Sequence, residues 1–134
     1  YKRQVGVNVV LKQGCSAAHA EMMAIMLAQQ ELGTHDLGIA DLPEFQLVTS
    51  GKMCAMCLGS VVWSGVREVL ASAQPEDVEN IVGFDEGPAP SDYDQQLEKR
   101  GISIISSFLR EEGCAVLQRY VELEGVVYNP SRNS

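Results

Sequence analysis

The sequence predicts an α/β fold, a single layered domain whose sheet is at least partly parallel. Three observations point there. Short runs rich in Val, Leu and Ile alternate with longer runs of helical period, the pattern of strands joined by helical crossovers. Gly and Gly–Pro punctuation separates most of these runs. A chain of 134 residues with 46% hydrophobic content suits one domain with a core of its own.

Gln4 to Leu11 (Q-V-G-V-N-V-V-L) is Val-rich and reads as a strand, with Gly6 permitting close approach. Lys12 to Ser16 reads as a loop around Gly14. Ala18 to Leu32 is a helix, apolar almost all round, that Gly33 ends; it should be buried on most sides, with Met22, Met23 and Met26 in the core. Thr34 to Pro43 is a loop, and His35 in it should be solvent-exposed. Phe45 to Thr49 is a second strand, Cys54 to Trp63 a helix closing at Ser64-Gly65, and Arg67 to Ser72 a third strand. Pro75 to Val82 opens on Pro and acids, good chemistry for a first helical turn. After the Gly83 to Pro90 loop, Tyr93 to Arg100 is a polar helix, Ile102 to Phe108 a fourth strand and Arg110 to Glu124 an amphipathic helix. No repeat, low-complexity tract or interdomain linker interrupts the chain.

Charge narrows the partners. Ten Lys and Arg against eighteen Asp and Glu give −8, with no basic run. A nucleic-acid binder normally carries a positive footprint, so a small-molecule substrate is expected, with no nucleic acid and no membrane. No apolar run is long enough to span a bilayer and no signal peptide is visible; a cytoplasmic location is expected.

Two short stretches carry the chemistry: His19-Ala20-Glu21 at a helix start, and Cys54-Ala55-Met56-Cys57 after a strand. Cys54 and Cys57, three apart, share one face of a first turn. A thiolate is stabilised there, because its pKa falls at a helix N-terminus. With His19 they make three zinc ligands, which leaves a fourth tetrahedral position open, as in catalytic sites. Glu21 is turned away from His19 by their spacing and suits proton transfer rather than ligation. Two other readings compete. Cys15 could complete a structural, non-catalytic zinc module, or Cys54 and Cys57 could be a redox pair. Cys15 and Cys114 otherwise read as free, inert thiols.

H-A-E followed by C-x-x-C on a second helix resembles the cytidine deaminase-like zinc deaminases. The run T-S-G-K-M-C-A-M-C-L-G-S-V-V-W, from Thr49 to Trp63, is most similar to the bacterial guanine deaminase branch. The resemblance implies a three-layer α/β/α sandwich around a mixed sheet, a zinc ion on His19, Cys54 and Cys57, and Glu21 as proton carrier. It implies a second acid, Glu86 in G-F-D-E, that contacts the purine and shuttles protons. Asn8, Ala20, Trp63 and Tyr128 are the implied substrate contacts. Tyr128 matches a C-terminal Tyr that closes a partner's site through an exchanged tail, so a homodimer is expected. The implied reaction is guanine to xanthine and ammonia; ammeline or another triazine, cytosine and cytidine are the alternative substrates. Met53 stands where the branch usually has Pro, and Lys52 where Glu is common. The family also places a helix and a strand before the segment that begins at Tyr1, so residues 1–134 are expected to be one deaminase domain lacking those two elements.

Overall fold

A computed structural model describes residues 4–129. Three parallel strands form a sheet in the order β1 (Gln46–Gly51), β2 (Glu68–Ala73), β3 (Ser103–Ile105). Leu47 pairs with Val69, and Val69 in turn with Ile104. Side chains alternate across β2. Val69, Ala71 and Ala73 are buried; Val69 shares a core with Ile25, Cys57, Val61 and Leu97. That face is covered by α2 (Ala20–Leu32), α3 (Ala55–Ser64) and α5 (Tyr93–Glu98). Ser72 points the other way, its Oγ donating to the carbonyl of Leu109. On that face lies α6 (Arg110–Glu122), with α4 (Pro75–Ile81) beside it. Gly113 lets α6 settle: a Cβ there would come within 3.1 Å of the Ala73 nitrogen. The arrangement is the expected α/β/α sandwich.

Four expectations need correction. Gln4 to Leu11 is not a strand: it runs extended and then turns into a short helix, α1 (Val10–Gln13). Asn8 Oδ1 accepts the Val10 N–H at 3.2 Å, a local side-chain bond that turns the chain against its Val-rich propensity. The sheet of the described residues is therefore parallel rather than mixed. The fourth strand stops at Ile105, because Ser107 and Leu109 adopt left-handed φ of 63° and 51° that no strand accommodates. Helix α2 is less buried than its composition suggests. Ile25 is buried, Met22 packs on the core, and Met26 and Leu27 are exposed, because the described residues cover only its inner side.

Gly6 fulfils its expected role. A Cβ there would lie 1.9 Å from the Ala20 carbonyl oxygen and 2.5 Å from the Ala24 nitrogen, so the Gln4–Val9 segment rests directly on the first turns of α2. Gly33 and Gly65 end α2 and α3 in the left-handed conformation that glycine adopts without strain. Among the described residues no helix is long and apolar enough to cross a membrane.

Candidate metal centre

Helices α2 and α3 begin side by side, and their N-caps are His19 and Cys54. The Lys52 N–H, held by the Ala73 carbonyl at 2.8 Å, anchors the loop that delivers Cys54. Cys57 follows one turn into α3 and is fully buried. His19 Nδ1 lies 3.6 Å from Cys54 Sγ and 3.7 Å from Cys57 Sγ, and the three donor atoms sit within 4.8 Å of one another. Zinc–sulfur and zinc–nitrogen bonds of ordinary length meeting at a tetrahedral angle require an N···S separation of about 3.6 Å. The donor set therefore fits zinc in both chemistry and spacing. Cys15 is exposed and does not join the cluster, so no fourth thiolate closes the site. His35 is exposed, as expected.

The electrostatics are those of crowded anions. A hydrogen bond with Cys57, seconded by His19, brings the Cys54 thiol down to about 4, and the same contact with Cys54 pushes Cys57 up. His19 is raised by its hydrogen bond to Cys54. Burial raises the Glu21 carboxyl, and the Cys54 charge adds to it. Glu86 is pushed up to about 7, first by burial and then by Cys54 and Glu21. Glu86 thus lies within the electrostatic reach of the cluster although the sequence separates them by some thirty residues.

Asn8 and Tyr128 meet: Asn8 Nδ2 donates to Tyr128 Oη at 2.5 Å. The Tyr128 ring stands edge-on to Phe84, 5.2 Å between centroids, so the tail folds over the Gly83–Glu86 loop of the same chain. Sequence reasoning missed the residue that fixes this strap. Asn129 donates to the Gly83 carbonyl at 3.0 Å and accepts the Asp85 N–H at 2.9 Å. No local pattern marks such an asparagine. Ala20 opens α2 between His19 and Glu21. Trp63 lies at the far end of α3, 83% exposed in the single chain, nearly two turns beyond Cys57. The helical twist that buries Cys57 and Val61 turns Trp63 outward, and the fold does not bring it to the cluster.

Residues 2–73 match the model of the cytidine and deoxycytidylate deaminase zinc-binding region. The chain is 32% identical over 106 residues to a guanine deaminase of Bacillus subtilis, covering 79% of this chain and 64% of that protein. Among solved structures, a guanine deaminase from Nitrosomonas europaea superposes with a TM-score of 0.82 at 50% identity, over 86% of this chain and 63% of that one. The protein NE0047, in complex with 2,6-diaminopurine, gives 0.85 at 50% identity, over 92% of this chain and 65% of that one. The chain thus spans just under two thirds of the length of these relatives. With the His–Cys–Cys cluster at zinc spacing inside the matched segment, the chain belongs to the cytidine and deoxycytidylate deaminase zinc-binding family.

Proposed function

We propose that this chain is the core of a zinc-dependent deaminase that converts guanine and water to xanthine and ammonia. The observation that carries the reading is the three-ligand cluster, fitted to zinc with one position open, beside the half-buried acid Glu21. His19, Cys54 and Cys57 hold the ion, which when bound makes water a nucleophile near neutral pH. Glu21 takes the proton of the attacking water. It passes that proton to the ring nitrogen as C2–O forms, then takes the second proton from the hydroxyl now on C2 and passes it to the amine, so that C2–N breaks and ammonia leaves. A raised carboxyl pKa suits a group that must both accept and return a proton near pH 7.

Guanine presents its 2-amino group and ring N–H groups as donors, and Glu86 supplies an acceptor for them. Asn8 offers an amide to the base, with its orientation fixed by Tyr128. Ala20, between His19 and Glu21 at the start of α2, has a small side chain that would leave room for a flat ring. The relatives named above, a guanine deaminase at 50% identity and a 2,6-diaminopurine complex, favour a purine over a triazine or pyrimidine.

The intact protein is read as a cytoplasmic homodimer in purine metabolism, its single deaminase domain completed by a helix and strand before Tyr1. Val116, Val121, Leu123 and Val126 along α6 and the tail are exposed apolar side chains that a second subunit would cover. An exchanged tail would make the Asn8, Phe84 and Tyr128 contacts between subunits instead of within one.

The test is ammonia release from guanine, 2,6-diaminopurine, ammeline, cytosine and cytidine by the intact protein, with Glu21→Gln beside it. Guanine is expected to turn over fastest. Glu21→Gln is expected to keep its zinc and to lose activity by about 10²–10⁴-fold, the range of a lost general acid–base group. Undiminished turnover by that variant overturns the role of Glu21, and a preference for cytidine overturns the substrate.

A further inference from the structure

A buried hydroxyl in the core behind this site has no partner among the described residues: Tyr93, the first residue of α5, is 5% exposed, and its Oη makes no hydrogen bond to any of them. Buried hydroxyls are nearly always paired, because leaving one unpaired forfeits its hydration with nothing in return. Its neighbour Asp94 is turned to other groups: Oδ1 is ion-paired with Lys52 Nζ at 2.7 Å, though with no hydrogen bond of its own among the described residues, and Oδ2 accepts from Ser106 Oγ at 3.3 Å. The Tyr93 ring is also fixed, with Lys52 Nζ 4.6 Å over its centroid. Lys52 belongs to the loop that delivers Met53 and Cys54, so ring, lysine and carboxylate tie α5 to the metal loop.

The surroundings of the hydroxyl point toward the metal centre. Tyr93 shares its buried cluster with Met53 and Cys57, and Cys54 packs against that cluster. After burial, the charges that bear most on the phenol are Glu21, Asp94, Cys54 and Cys57. Asp94 is spoken for, and the other three are the proton carrier and two of the metal ligands. A phenol held in this way is a donor awaiting an acceptor that arrives with the site's contents.

We propose that Tyr93 is an additional ligand-contacting residue of this site, its hydroxyl donating to an oxygen or nitrogen of the water or aminated heterocycle that the loaded site holds. Lys52 and Asp94 are positioning residues that hold the ring in place. The assignment rests on the zinc-deaminase reading for what the site holds, and on the packing of the ring against the metal loop, with the charges around it, for where the hydroxyl lies.

Tyr93→Phe removes one atom and keeps the ring under Lys52, so the test compares it with the wild type in three states of the intact protein: metal-free, zinc-loaded, and zinc-loaded with 8-azaguanine. The metal-free variant is expected to melt at the wild-type temperature or above, since an unpaired hydroxyl is gone. On loading, its melting temperature is expected to rise by about 3 °C less than that of the wild type, the effect of one missing hydrogen bond in a domain of this size. A shortfall with zinc alone identifies water as the acceptor, and one seen only with 8-azaguanine identifies the base. Its kcat/KM is expected to fall about tenfold at full zinc content. Tyr93→Leu, which also removes the ring from Lys52, is expected to melt lower in every state, the pattern of a purely structural role. Equal gains on loading for Tyr93→Phe and wild type overturn the assignment. Absence of guanine turnover by the wild type, with the shortfall on loading still present, refutes the deaminase reading and leaves the Tyr93 contact standing.

Discussion

Replacing Gly6 by alanine tests how the substrate side of the site is held against the metal side. The new methyl would sit 1.9 Å from the Ala20 carbonyl oxygen, 2.5 Å from the Ala24 nitrogen and 2.9 Å from the Ala24 Cβ. Ordinary contact needs about 3.4 Å, so one of the two segments must retreat by about 1.5 Å. Helix α2 is held by thirteen residues of backbone bonding and by core packing. The Gln4–Val9 segment is held through the Val9 N–H to the Ala18 carbonyl at 3.0 Å and through Asn8 to Tyr128. The segment therefore yields. Overpacking of this kind costs about 1–3 kcal/mol, against which the alanine gains about 0.4–1 kcal/mol by restricting the unfolded chain. The net expectation is a loss of about 1–2 kcal/mol, read by calorimetry as a melting temperature lower by about 3–8 °C. A 1.5 Å shift also exceeds what the 2.5 Å Asn8–Tyr128 bond tolerates, so kcat/KM on guanine is expected to fall at least tenfold while bound zinc stays stoichiometric. A variant that melts as the wild type does, or one that loses zinc before it loses substrate affinity, refutes the docking of this segment on α2.

Asn129→Ala removes both bonds to the Gly83–Asp85 turn; the Asp85 amide is expected to exchange its hydrogen at least tenfold faster, and KM to rise more than kcat falls. Glu86 carries a folded pKa of about 7, above the 4.5 of a free carboxyl, so the folded protein holds a proton that the unfolded chain releases between those values. The stabilising contribution of Glu86 is therefore lost as pH rises from 4.5 to 7, opposite in sign to that of the depressed Cys54 thiol, so in chemical denaturation of the metal-free protein at stepped pH the stability of wild type relative to Glu86→Gln should fall across that window; a constant difference refutes the burial of this acid. Zinc binding at pH 8 is expected to release about one proton from the raised Cys57 thiol, with Cys54 already ionised and His19 adding a share that shrinks as pH rises. Calorimetry in buffers of different ionisation enthalpy counts the protons, and two or more released at pH 9 contradicts an ionised Cys54.

What could be read in the sequence was whatever depends on short separations. The Cys54–Cys57 interval, the H-A-E at a helix start and the glycines that stop α2 and α3 each act within one or two turns, so their spacing is their geometry. Gln4 to Leu11 misled because β propensity speaks for side chains, whereas one Asn8 oxygen captured the backbone and bent it. The expected fourth strand, Ile102 to Phe108, overruns β3 because the left-handed φ of Ser107 and Leu109 sits on residue types that rarely adopt it. Tyr93 and Asn129 were invisible for another reason. Each works through contacts more than 35 residues away in the chain, with no local pattern around it, and only packing reveals that Tyr93 is buried without a hydrogen-bond partner among the described residues or that Asn129 clasps a distant turn.

Among the described helices α4 alone has a side-chain cap; α2 and α3 share their uncapped starts with α1, α5 and α6, but theirs are the ones that meet at the site. Helix α4 has a complete capping box, with Gln74 and Asp77 satisfying each other's backbone donors and Pro75 at the first position. Arg110 adds a paired contact to the same Asp77. Helices α2 and α3 begin on His19 and Cys54, and neither side chain caps its helix. Forgoing a good cap costs about 1 kcal/mol per helix. In return, the first-turn N–H groups of both helices, each at the positive end of its helix, face a cluster of thiolate and carboxylate groups that would otherwise repel one another, and backbone N–H groups of Glu21 and Cys57 bond to it. Capping either helix with its own side chain would turn the ligand back onto the backbone and away from its two companions. The uncapped starts of α2 and α3 therefore serve the metal site: the side chains at these two starts leave their own backbones, and His19 Nδ1 stands 3.6 and 3.7 Å from the two thiol sulfurs, near Glu21 in the first turn of α2.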